Sequence, residues 1–348
     1  MNKPQVLLDS GAYTAFKKGI TINIDKYAEY VVEHGHEYAG CFNLDSIGNA
    51  PTSYANWKRL KDAGAETIPV YHVGTPEEWL KKYLKQTDYI GLGAIANMDT
   101  QQRLFGLGSI WKKYLIDPYG MPKYKIHGLG LTAIPIMLRY PWYSLDSFTP
   151  VISAVWGSVL LPKLQNDGTE EYLGLGICKI SDQGNHKVGM SNSYPSLPPR
   201  IKEFYEALFE KHGFILGEIA YQEKRARRGK KHELDDRPER LFDLTHKLDP
   251  AKEVEPTLAN SWEERMRWNL IMWTQLRERL PIYPRIFEDN EPTYKEEVND
   301  NPKTLMYMGV STTTHLQIFE KVHPKLDILI SYAYLSDSIS THIKHYIR

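Results

Sequence analysis

Cysteine is nearly absent from this chain: Cys41 and Cys178 are the only two among 348 residues. Two thiols cannot build a disulfide framework or a cysteine-rich zinc site. Net charge is absent as well, because 43 Lys and Arg balance 43 Asp and Glu. No global field draws the chain to a polyanion, so any nucleic-acid contact must come from a local patch. Long apolar runs are missing too. The longest, around Val151 to Pro162, is too short to span a bilayer. The first residues already carry Lys3 and Asp9, with no charged-apolar-small pattern after them, so no secretory leader is expected. There is no internal repeat or low-complexity tract. The expectation is a cytoplasmic protein with no membrane association. At 42% hydrophobic and 25% charged residues, the composition fits one large domain or a barrel with an insertion.

What the sequence does have is a recurring dipeptide. Three apolar runs end in Asp-Ser: Val6-Leu7-Leu8-Asp9-Ser10, Phe42-Asn43-Leu44-Asp45-Ser46 and Tyr143-Ser144-Leu145-Asp146-Ser147. Each has the pattern of a short buried strand that stops at a carboxylate. A (β/α)8 barrel places acidic side chains in this way, at the carboxyl ends of its strands, where barrel active sites sit. Asp-Ser after a strand also serves as a cap for the following helix, and a single copy would carry no more than that. Three copies on separate strands point to a convergent acidic site.

Strand and helix signals alternate over the first 150 residues. Strands are expected at Gln5–Leu8, Cys41–Leu44, Thr67–His72 (interrupted by Pro69), Tyr89–Gly93, Lys125–Leu129 and Trp142–Leu145. Helical spacing lies between them at Ile24–Glu33, Tyr54–Asp62, Glu77–Leu84, Gln101–Tyr114 and Ile134–Arg139. This alternation predicts parallel βα units. Six strands leave a barrel two short. The missing pair is expected at Thr304–Val310 and Leu326–Tyr334, separated by a helix at His315–Val322 and followed by a helical tail at Ser338–Tyr346. Leu326–Tyr334 should then pair in parallel with Gln5–Leu8, and Thr304–Val310 with Trp142–Leu145, bringing Met1 and Arg348 close together.

The middle third breaks the rhythm. Leu160–Ile180 and His186–Met190 suggest antiparallel strands, Pro199–His212 a helix, Glu223–Arg240 a charged stretch and Ser261–Leu280 a Trp-rich amphipathic helix. The tryptophans there have the spacing of one buried face. The resulting expectation is an α/β (β/α)8 TIM barrel with an inserted α+β subdomain. Residues 1–150 would supply barrel strands three to eight, 151–302 the insertion plus a barrel helix, and 303–348 strands one and two.

At the carboxyl ends of the expected strands stand Asp9, Asp45, His72, Gly91-Leu92-Gly93-Ala94, His127-Gly128-Leu129-Gly130 and Asp146. Paired carboxylates suit displacement at a sugar carbon, where one attacks and the other handles the leaving group's proton. Glycines let a flat ligand approach the backbone closely, although βα loops favour glycine in any case. His72 and His127 also fit as satisfied core histidines. The Asp/His set has the chemistry of a divalent-metal site, but no ligand spacing is diagnostic.

These residues resemble a family. Asp9-Ser10-Gly11-Ala12-Tyr13 resembles the Asp-Ser-Gly-Gly-Phe motif of the tRNA-guanine transglycosylases. It is still more similar to the Asp-Ser-Gly-Ala-aromatic form of their DNA-modifying relatives, the deoxypurine-in-DNA protein A group of phages and bacteria. Asp45 matches a base-reading aspartate and His72 a base-contacting glutamine. Gly91-Leu92-Gly93-Ala94 is similar to a Gly-Gly-Leu-Ala loop whose backbone contacts the base, and His127-Gly128-Leu129-Gly130 to a later Gly-Val-Gly turn. Leu145-Asp146-Ser147 resembles the Phe-Asp-Cys segment that supplies the nucleophile. The likeness covers residues 5–150 in the right order.

Three departures shape what the resemblance implies. The Cys-x-Cys-x-x-Cys…His zinc site is missing, so neither metal nor cofactor is implied. Phe148-Thr149-Pro150 replaces the Pro-Thr-Arg of the tRNA enzymes. Leu305–Tyr334 looks like the segment that precedes Asp-Ser-Gly in the DNA-modifying relatives, so the chain looks circularly permuted. By the resemblance, Asp146 attacks C1′ and Asp9 is the acid/base. Ser10, Gly11, Tyr13, Asp45, His72, Gly91, Gly93, Ala94, His127, Gly128 and Gly130 surround the base. The implied partners are DNA, with tRNA as the alternative, and a free 7-deazaguanine base such as preQ0. For a phage protein the compartment would be the host cytoplasm. The run Lys224, Arg225, Arg227, Arg228, Lys230, Lys231 is the expected phosphate contact; the acidic residues that follow it make a plain solvated face the competing reading. A barrel hydrolase acting on small glycosides or nucleosides, and a non-catalytic nucleic-acid binder, remain as alternatives.

Overall fold

The computed structural model describes residues 4–93, 100–131, 133–165, 167–181, 193–219, 255–280, 286–287, 304–322 and 326–335. Expectations for His186–Met190, Glu223–Arg240, the helical tail and the two chain ends lie outside these residues. The chain divides into two compact units, residues 1–148 with 274–348, and residues 149–273.

The first unit is built on one sheet. Its strands are β1 (Val6–Asp9), β2 (Gly40–Cys41), β3 (Val70–His72), β4 (Tyr89–Gly93), β5 (Lys125–Gly128) and β6 (Ser144–Ser147), with β9 (Leu305–Val310) and β10 (Asp327–Ser331) from the far end of the chain. The spatial order is β2-β1-β10-β9-β6-β5-β4-β3, and every ladder is parallel. Both pairings expected between the chain's two halves are present. Val6 faces Ile328 and Asp9 faces Ser331, while Ser144 faces Leu305 and Asp146 faces Tyr307. The sheet curls until its end strands approach each other. Phe42 and Ile68 form a parallel bridge, in which Asn43 N–H donates to Ile68 O (2.9 Å) and Ile68 N–H to Cys41 O (2.7 Å).

Strands β1, β9 and β10 are near-continuous apolar runs because a parallel sheet is covered on both faces. Leu7, Phe42, Ile68, Val70 and Tyr307 pack on the inner face. The outer face is covered by helices, including α2 (Ile24–His34), which buries Tyr27, Ala28 and Val31, and α3 (Ala50–Asp62), which buries Trp57 and Leu60. Complete burial of such a side chain contributes about 1.5–3 kcal/mol. Asn23 caps α2 by accepting from Asp25 and Lys26 N–H, and Asn49 caps α3 by accepting from Thr52 N–H. Further helices are α4 (Glu77–Leu84), α5 (Thr100–Ile110), α6 (Ile134–Arg139) and, between the last two strands, Thr313–Val322.

Several expected bounds shift, each for a physical reason. Pro69 cannot donate to a ladder, so the third strand begins only at Val70. The second shrinks to two residues because the backbone past Cys41 turns to meet Ile68. The sixth moves two residues along, which puts Asp146 inside the strand. The helix expected through Tyr114 relaxes into wider π turns over Trp111–Leu115. Helix α1 (Ala12–Lys18) was not expected. It buries only Ala12 and Ala15 and so carries no apolar stripe to find.

The second unit contains α7 (Thr149–Val155), the antiparallel hairpin β7 (Ser158–Leu164) and β8 (Glu170–Lys179), and α8 (Pro199–Lys211). The helix Trp262–Arg279 runs into it as far as Trp273. Trp268 is fully buried, with Phe209 and Phe214 edge-on at 4.7 and 5.5 Å, and its Nε1–H donates to Leu160 O. The Asn269 side chain accepts from Leu160 N–H and donates to Pro150 O and Ser158 O. Arg265 spends its donors on the carbonyls of Ala154, Leu258 and Ala259, and burial brings its guanidinium down to about 10. This Trp-rich stretch is a core element, as its spacing suggested. Among the described residues no helix is long and apolar enough to cross a membrane.

The joined ladders lead to an expected outcome in amide hydrogen exchange. Leu305–Val310 and Asp327–Ser331 should share the high protection of Val6–Asp9 and Ser144–Ser147. Leu8→Ala empties a fully buried position on β1. It should cost about 2–5 kcal/mol in urea unfolding and loosen β10 together with β2. Independent, faster exchange of the two C-terminal strands would show a separate sheet.

Candidate active site

Side chains at paired positions of parallel strands point to the same face. Asp9, at the end of β1, lies beside Ser331. Asp146, in β6, lies two residues beyond Ser144, which pairs with His127 of β5. His72 ends β3 beside Gly93 of β4. Their common side is the inner face, at the strands' carboxyl ends.

None of the three aspartates caps a helix through its side chain. Helix α1 starts from Gly11, which sits at φ +82° and provides no side-chain cap. Helix α3 takes its cap from Asn49 rather than Asp45. Asp146 Oδ1 accepts from Gly130 N–H at 2.7 Å and lies 3.1 Å from His127 Nε2. The capping alternative therefore gives way to side chains held by contacts within the sheet and its loops.

The acids feel one another. Burial pushes the Asp9 carboxyl up to about 7, and the charges of Asp45 and Asp146 add to the rise. A hydrogen bond from Gly11 N–H (3.1 Å) offsets only part of it. A carboxyl near 7 can give and take a proton at neutral pH. Asp45 is matched differently: its Oδ2 lies 2.7 Å from His72 Nε2, and both side chains are nearly buried. The loop carrying Asp45 is strapped down. Asn43 Oδ1 accepts from Val70 N–H and its amide donates to Ser53 O, Asn56 donates to Leu44 O, and Ser53 Oγ accepts from Ser46 N–H.

Behind Asp146 runs a polar chain. His127 is fully buried, with the rings of Phe42 and Tyr307 at 4.8 and 6.2 Å. Its Nδ1 lies 2.8 Å from Ser144 Oγ, which lies 2.8 Å from Tyr89 OH. His127, expected beside a base, thus stands beneath the carboxylate with both ring nitrogens engaged by protein. Ser144 and Tyr89 were not singled out in the sequence. The signal was present in the strand period of two, since Ser144 shares a face with Asp146 and Tyr89 with Gly91. Asn43 had no such signal, because its partners are 10 and 27 residues away.

The remaining expected residues are placed unevenly. A Cβ at Gly93 would press on the His72 ring at 2.8 Å, so this glycine makes room for that imidazole. Leu129 fills the Cβ direction of Gly91 on the inner face, and Leu145 fills that of Gly128 on the opposite face. Gly11 abuts Ala333, and Ser10 is fully buried with its Oγ accepting from Ala12 N–H. Tyr13 is half exposed on α1, with the Lys17 ammonium over its ring. Ala94 and the basic run Lys224–Lys231 lie outside the described residues. Among the described residues no group of three or more His, Cys, Asp and Glu is arranged to hold a metal ion. A cleft of about 340 Å³ lined by Lys112, Asp117, Tyr119 and Phe287 shares no residue with the acidic cluster. No family model, curated protein or solved structure matches the chain significantly.

The Asp9 shift predicts a pH effect with a definite sign. The folded carboxyl, near 7, binds its proton more tightly than the unfolded one, near 3.8. Its contribution to stability is therefore full below about pH 4 and is lost as pH rises to about 7. Asp9→Asn removes that loss. In thermal melts the variant should gain on the wild type steadily over this window and hold a constant lead above it. Parallel curves would place Asp9 in ordinary solvent.

Proposed function

We propose that this protein is a base-exchange transglycosylase acting on guanine in DNA through a covalent aspartyl intermediate. The observation that carries the reading is the unequal treatment of two carboxyls on one face. Asp9 is pushed up to about 7, while Asp146 has one oxygen held by Gly130 N–H and His127. Pairs of acids with separated environments are what acid/base and nucleophilic roles require.

In this reading Asp146 attacks C1′, the C1′–N9 bond breaks and guanine leaves with a proton from Asp9. The incoming 7-deazaguanine then gives its N9 proton to Asp9 and displaces Asp146. Two inversions give retention. Asp45, oriented by His72, hydrogen-bonds the heterocycle's edge, and Tyr13 is the aromatic offered to its face. The target nucleotide must leave the stack to enter such a site. The sheet is read as a (β/α)8 barrel closed at Phe42–Ile68, with β9 and β10 as permuted first strands. DNA is preferred to tRNA on the sequence pattern Asp9-Ser10-Gly11-Ala12-Tyr13 and on the missing zinc cysteines.

The test incubates the protein with DNA or tRNA and a 7-deazaguanine base, then digests to nucleosides for mass spectrometry. Incorporation into DNA is expected. Asp146→Asn should abolish exchange and any denaturant-resistant adduct while DNA binding survives, and Asp9→Ala should slow exchange about 10²–10⁴-fold. Wild-type exchange by Asp146→Asn would refute the nucleophile. Exchange into tRNA alone would overturn the choice of polymer and leave the chemistry standing.

The basic run is the proposed phosphate contact. Neutralising Arg225, Arg227 and Arg228 should weaken DNA binding and flatten its dependence on salt, with little change in binding of the free base. An unchanged salt slope would make this run a solvated face.

A further inference from the structure

We infer that His127 is a positioning residue, held as the Nε2–H tautomer, that fixes Asp146 Oδ1 and leaves Oδ2 as the only reacting oxygen. The inference rests on the base-exchange reading for its chemistry, but its geometry stands by itself.

The direction of every proton in the buried chain follows from its last member. An ionised carboxylate only accepts. The 3.1 Å contact between His127 Nε2 and Asp146 Oδ1 therefore puts the ring hydrogen on Nε2. With one ring proton, on Nε2, Nδ1 is the acceptor, and Ser144 donates its hydroxyl proton across 2.8 Å. Ser144 Oγ in turn accepts from Tyr89 OH, also at 2.8 Å. A hydroxyl can both give and receive at that place, which suits the fully buried Ser144. The ring is fully buried and packs against Phe42 and Tyr307.

The second donor to Oδ1 is Gly130 N–H at 2.7 Å. Two N–H groups on one oxygen make a small anion cradle. When Oδ2 bonds C1′, Oδ1 becomes the ester carbonyl. When the C1′–Oδ2 bond breaks, its electron pair returns to the carboxylate, and charge reappears at Oδ1 under both donors. Hydrogen bonds to an ion are stronger than those to a neutral carbonyl. The cradle therefore favours the departure of Asp146 from the sugar, the second displacement, over its attack.

Two substitutions separate this role from mere packing. His127→Gln places an amide N–H near the former Nε2 and should keep turnover within a few-fold of wild type. His127→Asn reaches only toward Ser144 and loses the donor to Asp146. It should slow the second displacement about 10- to 100-fold, the value of one charged hydrogen bond. The readout is the denaturant-resistant protein–DNA adduct in the presence of the incoming base, which should accumulate in His127→Asn and not in His127→Gln. Equal adduct lifetimes in the wild type and both variants would overturn the inference while the base-exchange reading survives. A wild type that forms no adduct and exchanges no base defeats that reading instead, and a second measurement then decides the inference. In ¹⁵N-histidine-labelled protein, the resonances lost in His127→Gln identify the residue. They should show a proton on Nε2 and a hydrogen-bonded, unprotonated Nδ1 whose shift moves in Ser144→Ala. A proton on Nδ1, with or without one on Nε2, would overturn the inference whatever the activity.

Discussion

Everything at the acidic mouth depends on two strands from the far end of the chain. Asp9 is carried by β1 and Asp146 by β6, and β10 and β9 stand between them in the sheet. Two parallel ladders, Val6–Asp9 on Ile328–Ser331 and Ser144–Ser147 on Leu305–Met308, set the spacing of the carboxyls. Parallel pairing needs long crossovers, and here the connection spans the whole second unit. The loop-closure entropy of such a link grows only slowly with length. An insertion of this size is therefore thermodynamically tolerable, provided that the two C-terminal strands fill the gap between β6 and β1.

The site is costly to hold. Three carboxyls share the carboxyl ends of strands whose inner face below them is apolar. The molecule answers with three different environments. Asp45 has a histidine partner, Asp146 has a backbone N–H and a histidine, and Asp9 is left with weak compensation and takes up the proton affinity. Burial and mutual repulsion suffice to push one acid up, and backbone donors keep another as an acceptor.

Much of this was legible in one dimension. The apolar runs ending in Asp-Ser gave the strands, and the alternation of strand and helix gave a parallel sheet. The count of six strands demanded two more, which the Ile- and Leu-rich C-terminal segments supplied. Helix α4, strand β4 and helix α6 lie where the spacing put them. The errors fall where local pattern loses to tertiary demand. Strands β2 and β3 are shortened by Pro69 and by the bridge between Phe42 and Ile68. Helix α1 is set by the left-handed turn at Gly11 rather than by an apolar face.

For the site the division is sharper. The sequence by itself determined which residue types stand at strand ends: three aspartates, two histidines and the glycines beside them. Strand alternation dictated that much, because side chains two residues apart share a face. Only the tertiary structure decided what each of them meets. It paired His72 with Asp45 and His127 with Asp146, and it filled the space beside Gly91 and Gly128 with leucine. It also gave Ser144 and Tyr89 a place behind the acid. The physical reason is register. A hydrogen bond or a raised proton affinity depends on ångström separations between strands far apart in the chain, and no local pattern encodes those distances.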